Sequence, residues 1–361
     1  MIERMSRSRG ARAVDLLEKL VEIPSVTGEE GALTRFVAER CLPGGWTAEG
    51  TEVTPGRSNL FLHSLHGGEA RVVFMTHADT VPPFLPPRRE GGRLFGRGAC
   101  DAKASLAAMA VAVGELARQD APVGLLVLVG EERGSDGALA ANRGAHPARY
   151  IVGGEPTSNR FVGGSKGALR ITATAQGTAG HSSDPGRGRS AVLPLLDFLA
   201  DLRALSWPPD PVFGDTTANI GVLEAGAAPN VIAENARAEV LFRTGVPVDD
   251  VLARLRAAAQ AQVRLDVPYR SEPILFRCPR GSKGEVVAFA CDLPLLPAWG
   301  EPILVGPGSI DDAHAAGENV ALDEVEAAVS LYVDLARGLL EQGEEYLEPQ
   351  PAFMEHSRRG L

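Results

Sequence analysis

Four short apolar runs, each leading directly into acidic residues, a histidine, or both, constrain this chain more than any other feature. Residues 71–75 (RVVFM), 122–129 (PVGLLVLV), 149–152 (RYIV) and 302–305 (PILV) read as buried strands. Helical periodicity surrounds them. In 13–22, Val14, Leu17 and Val21 share a face, with Leu16 and Leu20 beside them. A second helix is expected from Thr27, because Thr27 and Glu30 have capping-box spacing ahead of Ala32, Leu33, Phe36 and Val37. An Ala-rich helix over 102–118 and another over 323–340 complete the pattern. Strands alternating with helices predict an α/β domain whose sheet is covered on both faces.

The middle of the chain follows a different rhythm. An alternating strand at 169–175 precedes a helix over 190–205. Alternating strands at 218–223 and 236–242 follow, then a helix over 248–262 and a strand at 263–269. Strand, helix, strand, strand, helix, strand is the order of a ferredoxin-like α+β domain. Residues 167–271 are therefore expected to be an insertion into a domain made of 1–166 and 272–361. A chain of 361 residues suits two domains. The tail after Gly343 is polar and contains proline, and is expected to be loosely held.

Charge and composition exclude several classes. The net charge of −10 makes the chain a poor polyanion binder, so no nucleic-acid partner is expected. The longest apolar runs, such as 124–130, fall far short of the roughly 20 residues of a membrane span. The opening MIERMSRSRGARAV lacks the apolar core of a signal peptide, so no membrane partner is expected either. Cys41, Cys100, Cys278 and Cys291 show no CxxC spacing and read as reduced thiols of a cytoplasmic protein.

The chemistry lies at the strand ends. RVVFM runs into Thr76, His77, Ala78 and Asp79. PVGLLVLV runs into Glu131 and Glu132, RYIV into Glu155, and PILV toward Gly308, Asp311, Asp312 and His314. Ligands of open α/β sheets bind beyond the carboxyl ends of the strands, so these groups are expected to converge on one crevice. Taken singly, a histidine after a strand is an ordinary surface residue, and Asp101 before a helix is an ordinary N-cap. As a set, two histidines and three carboxylates suit two borderline divalent cations. His63, His66, His146 and His356 lack such company and read as structural or exposed. A dinucleotide site is excluded: after Gly96 and Gly98, Asp101 stands where a third glycine is needed, and its charge would repel a pyrophosphate.

The segments MTHADTVP, GRGACDAKASLAAM, GEERGSDG, GGEPTS, AGHSS, NVI and GPGSIDDAHAAGENV, in that order, resemble the co-catalytic zinc hydrolases of the acetylornithine deacetylase, succinyl-diaminopimelate desuccinylase and aminoacylase group. The resemblance runs from the first helix to about Leu340. It implies a zinc-exopeptidase-like α/β catalytic domain with an inserted ferredoxin-like lid that forms a homodimer. By position, His77, Asp101 and Glu155 would bind one zinc. His314, Asp101 and Glu132 would bind the other, with Asp101 bridging. Two cations, three carboxylates and one hydroxide balance in charge. Asp79 would accept the second imidazole N–H of His77. Glu131 would be the general base and then the proton donor, separated from Glu132 because neighbouring side chains of an extended segment point in opposite directions.

The same resemblance implies that His181, from the partner subunit, stabilises the oxyanion. Arg243 and Asn230 match substrate-contacting positions, with Lys166 and Gly308 as further candidates. Some positions differ from many relatives: Ala102-Lys103-Ala104 replaces Met-Lys-Gly, Leu241 stands where Asp is frequent, Glu155 is Glu instead of Asp, and Ala315 replaces Thr. None removes a metal ligand.

The implied reaction is deacylation of a small N-acyl amino acid by zinc hydroxide attack, most closely that of N-acetylornithine. Cobalt is expected to substitute for zinc. Desuccinylases, lysine-pathway deacylases and dipeptidases or carboxypeptidases share every metal residue and remain alternatives. A non-catalytic metal-binding relative would be expected to lose Glu131 or a ligand, and this chain keeps them all.

Overall fold

The computed structural model describes residues 8–64, 69–259 and 261–348. His66 and His356 lie outside them. The chain forms two compact units. One takes the chain as far as Gly163, then Leu275–Glu285 and everything from Cys291. The other is Gly164–Ile274 with Val286–Ala290.

In the first unit the central strands follow the order Trp46–Thr54, Arg57–Ser64, Val123–Leu128, Val72–His77, Tyr150–Gly153, Glu301–Leu304. The last four are parallel to one another, so their carboxyl ends share one edge. Val72–His77 and Val123–Leu128 are buried along their whole length. That explains apolar runs without alternation, since a parallel strand covered on both faces has no wet side. Helices Arg9–Glu22, Lys103–Ala117 and Leu322–Gln342 pack against one another, the last two also against Val72–His77. Leu17, Leu20, Phe74 and Tyr332 are among the residues they seal in.

Three local expectations are corrected. The first two strands were not anticipated. They form an antiparallel hairpin across Pro55-Gly56, with Thr54 opposite Arg57. Gly56 has φ +80°, the left-handed conformation that the third position of a Pro-Gly type II turn requires. The capping box at Thr27 does not form, and the helix starts at Gly31 without a side-chain cap. The Thr27 hydroxyl donates to Asp79 Oδ2 (2.8 Å), while Glu30 accepts two hydrogen bonds from Arg57 (2.8 and 2.9 Å). The Thr27 hydroxyl is thus spent on a tertiary partner, and Glu30 is shared between Arg57 and the local N–H of Gly28 (3.0 Å). The tail is held as far as Glu348: Leu347 is fully buried, and Glu348 N–H donates to Cys278 O (2.8 Å).

The second unit is a four-stranded antiparallel sheet in the order Thr217–Ala225, Asn235–Thr244, Gly167–Gln176, Val263–Ser271. Numbered along the chain this is 2-3-1-4, the ferredoxin-like arrangement. Helices Val192–Ala204 and Val248–Ala258 cover one face through Leu195, Phe198, Leu199, Val251, Leu252 and Leu255. The second of these helices stops at Ala258, short of the expected 262. Thr217–Ala225 is an edge strand with little buried surface, so its alternating sequence does not mark a core face.

Candidate dinuclear metal centre

The shared edge of the four parallel strands gathers the acidic residues and histidines. His77 is the last residue of its strand, and its Nε2 lies 3.1 Å from Asp101 Oδ1 and 3.9 Å from Glu155 Oε2. His314 Nε2 lies 3.2 Å from Asp101 Oδ2 and 2.9 Å from Glu132 Oε1. Each triad offers ligand atoms within 4.8 Å of one another. Ligands about 2.0–2.2 Å from a tetrahedral cation stand roughly 3.3–3.6 Å apart, so both triads suit a small divalent ion. Asp101 divides its two oxygens between the two histidines, the disposition a bridging carboxylate needs. It does not cap the following helix, where Ala102 occupies the N-cap position.

Backbone hydrogen bonds set these side chains. His77 Nδ1 donates to the carbonyl oxygen of Asp79 at 3.0 Å, which turns Nε2, the ligand atom, toward Asp101. The Asp79 carboxylate is farther from that nitrogen, at 3.5 Å. Its nearer partners are the N–H groups of Glu131 and Glu132, both at 3.1 Å, and the Thr27 hydroxyl. Asp79 thus joins the His77 strand to the Glu131–Glu132 segment. That segment is a 3₁₀ turn, Glu131–Arg133, and not the extended chain expected from sequence. Successive residues of such a turn project about 120° apart, which separates the two carboxylates equally well. Outside the turn, Arg57 joins Glu30 to Asp136, with Nη1 at 2.8 Å from Asp136 Oδ2.

The electrostatics show an excess of negative charge looking for cations. Burial opposes charge on His77, yet the hydrogen bonds with Asp101 and Asp79 and the charge of Glu155 raise it well above its ordinary value. Hydrogen bonds to Asp101 and Glu132 push His314 up to about 10. Burial raises Glu131 and Glu155 well above the carboxylate range, against the pull of His77. Burial also acts on Asp101, but both histidines hold it low. Bound divalent ions would take over the role of the protons on the histidines.

A pH dependence follows for the metal-free protein. A group whose folded pKa is raised stabilises the fold below its unfolded pKa and loses that contribution as pH rises through the folded value. The metal-free melting temperature is therefore expected to fall between about pH 6.5, the ordinary histidine value, and about 10 for His314. Glu131, Glu155 and His77 act in the same direction and together outweigh Lys103, which burial lowers to about 7 and which acts in the opposite one. Added zinc should abolish the decline, because cation binding strengthens as the ligands deprotonate. A flat metal-free profile over pH 6–10 would contradict the linkage.

The remaining sequence candidates fall into separate places. Gly308 N–H donates to Glu324 Oε2 at 2.8 Å, so it is not offered to a substrate. Its φ is +86°, and a Cβ there would stand only 2.6 Å from Cys100 Sγ, so this glycine serves the turn itself. His181 and Asn230 come together within the second unit: His181 bridges to Val231, and Ser182 N–H donates to Asn230 O at 3.0 Å. Arg243 pairs with Ala168, two residues after Lys166, at the opposite end of the same sheet. The His63 and His146 rings lie near one another over Phe61, both facing Glu49 (2.8 and 3.3 Å), away from the triads in sequence and in partners.

Sequence reasoning passed over Arg97, Glu318 and Asp292. All three are charged residues at most 3% exposed. Arg97 and Glu318 stood inside quoted motifs, but nothing in spacing announces a buried ion pair between residues so distant in the chain. Among the described residues no helix is long and apolar enough to cross a membrane, and the four cysteines are unpaired.

Residues 163–266 match the model of the peptidase dimerisation domain of the M20 family. The chain is 34% identical to a peptidase M20 domain-containing protein of Schizosaccharomyces pombe, over 88% of this chain and 82% of that one. It is 34% identical to a probable carboxypeptidase of Aspergillus clavatus, over 90% of this chain and 81% of that one. In fold it resembles a tripeptidase from Staphylococcus aureus, with TM-score 0.74, 20% identity, and 91% and 99% of the two chains covered. An α/β unit with two acid–histidine triads at its sheet edge and a ferredoxin-like insert defines a metal-dependent hydrolase class. The chain belongs to the M20 peptidase family.

Proposed function

We propose that this protein hydrolyses the amide bond to a C-terminal amino acid, with N-acetylornithine or a related N-acetyl amino acid as the first substrate to consider. The observation that carries the reading is the pair of triads sharing Asp101, with Glu131 beside them on the turn that supplies Glu132. Two divalent cations, zinc by the character of the His and carboxylate donors and replaceable by cobalt, would polarise the scissile carbonyl and acidify a shared water. His77, Asp101 and Glu155 would hold one, and His314, Asp101 and Glu132 the other. Glu131 takes the proton of the attacking water and delivers it to the departing amine. Arg243 would read the α-carboxylate with its two-pronged donor set, and Lys166 lies at the same sheet end.

The second reading is a carboxypeptidase or dipeptidase, and the name of a relative at 34% identity, a probable carboxypeptidase, favours the former. The two readings break the same bond and differ only in the acyl half. A hydrolysis screen with added zinc or cobalt separates them, using N-acetylornithine, N-acetyllysine, N-acetylcitrulline, N-succinyl-diaminopimelate and simple dipeptides. Preference for N-acetyl amino acids supports the first reading and preference for peptides the second. Turnover of none of them under either metal would overturn both.

A homodimer through the inserted domain is part of the same reading. His181 and Arg243 belong to opposite ends of one sheet, separated by about eight strand residues, or roughly 25 Å at about 3.3 Å per residue. One small substrate would not meet both from a single chain. We therefore expect mixed dimers of His181→Ala and Glu131→Gln chains, each inactive alone, to recover activity. After verified subunit exchange, an absence of recovery would mean that His181 acts within its own chain or not at all.

A further inference from the structure

Glu318 is 1% exposed and Arg97 3% exposed, although neither belongs to a triad. Glu318 Oε1 accepts hydrogen bonds from the backbone N–H groups of Cys100 and Asp101, each at 3.2 Å. Its Oε2 accepts from Arg97 Nη1 at 2.6 Å. The same Nη1 donates to the carbonyl of Ala315 at 3.3 Å, the residue after His314, and Arg97 Nε donates to Pro83 O at 3.2 Å. The ion pair therefore ties together the segment that carries Asp101 and the segment that carries His314.

We propose that Glu318, locked by Arg97, is the positioning residue of the bridging carboxylate, fixing the Asp101 backbone so that one side chain can serve two cations. The inference rests on the dinuclear reading above. Glu318 is not a ligand itself, since both of its oxygens are engaged. A carboxylate is suited to the task, because one charged group accepts two amide N–H groups and a guanidinium at once. A glutamine cannot: if its carbonyl oxygen faces the two amides, its NH₂ faces the Arg97 donors. An ion pair that only supported the fold would contribute to stability without altering metal affinity in the folded protein. A device that aims the bridging ligand has a different signature. It affects both cations together, whereas loss of Glu155 or Glu132 affects one.

The test is a zinc titration of chelator-stripped protein in competition with a chromophoric chelator. Wild type, Glu318→Gln, Arg97→Lys and Glu155→Ala would be compared, with the metal-free melting temperature recorded for each. Both zinc affinities are expected to fall together in Glu318→Gln, by about 10–100-fold, the usual effect of losing a group that orients a ligand. Arg97→Lys keeps the charge but not the fork and should show the same pattern more weakly. It also serves as the deciding variant should Glu318→Gln not fold. Glu155→Ala should lose one zinc and retain the other. Unchanged zinc affinities in a folded Glu318 or Arg97 variant, or weakening of only one site, overturn the inference. Wild type binding fewer than two zinc ions would instead sink the dinuclear reading on which it rests.

Discussion

Glu131→Gln is expected to lower kcat by roughly two to four orders of magnitude, the span usual for a general base, while the protein keeps its cations. The amide has nearly the shape of the carboxylate but cannot take a proton from water. The 3₁₀ turn should survive the change, because it is held through the main chain. Asp79 accepts from the N–H groups of residues 131 and 132, and Arg57 grips Asp136 beyond. Glu132 therefore stays against His314. Steady-state kinetics with metal analysis on the same preparation checks this. Metal content equal to wild type with a rate within about tenfold would remove Glu131 from its assigned role.

Asp101→Asn should have a different and more complete effect: loss of both cations, and with them activity. Its two oxygens lie 3.1 and 3.2 Å from the two histidines, and among the described residues no other takes part in both triads. Asparagine replaces one oxygen by an NH₂ that cannot coordinate, and it removes the charge that helps draw two dications together. His77→Ala or His314→Ala should reduce metal content less, because each leaves the other triad whole. Elemental analysis after dialysis against a weak chelator reads the difference. Asp101→Asn protein that retained two zinc ions would show that the carboxylate does not bridge.

The sequence was most informative where one residue type has one physical meaning. Uninterrupted apolar runs marked the parallel strands at 72–77 and 123–128, and parallel order places the following residues at one edge. That is why His77, Glu132, Glu155 and His314 could be read as neighbours from the chain alone. The insert was legible because its strands and helices change period in ferredoxin-like order. What stayed hidden were side chains whose partners lie far along the chain. Thr27 and Glu30 have the spacing of a helix cap, but Asp79 and Arg57 claim them. Gly308 was a further candidate for substrate contact, whereas Glu324 occupies its N–H. Glu318 and Arg97 look like ordinary surface charges in GENV and GRG, and only the fold reveals them as a buried pair behind Asp101.

The most direct measurement is hydrolysis by chelator-stripped protein as zinc is added back in counted equivalents, with the best substrate of the screen. Little activity is expected in the metal-free chain, with recovery that saturates at two zinc ions per chain. Full activity in the stripped protein, or no recovery after two zinc ions have demonstrably bound, would contradict the assignment of this site as a two-cation amide hydrolase.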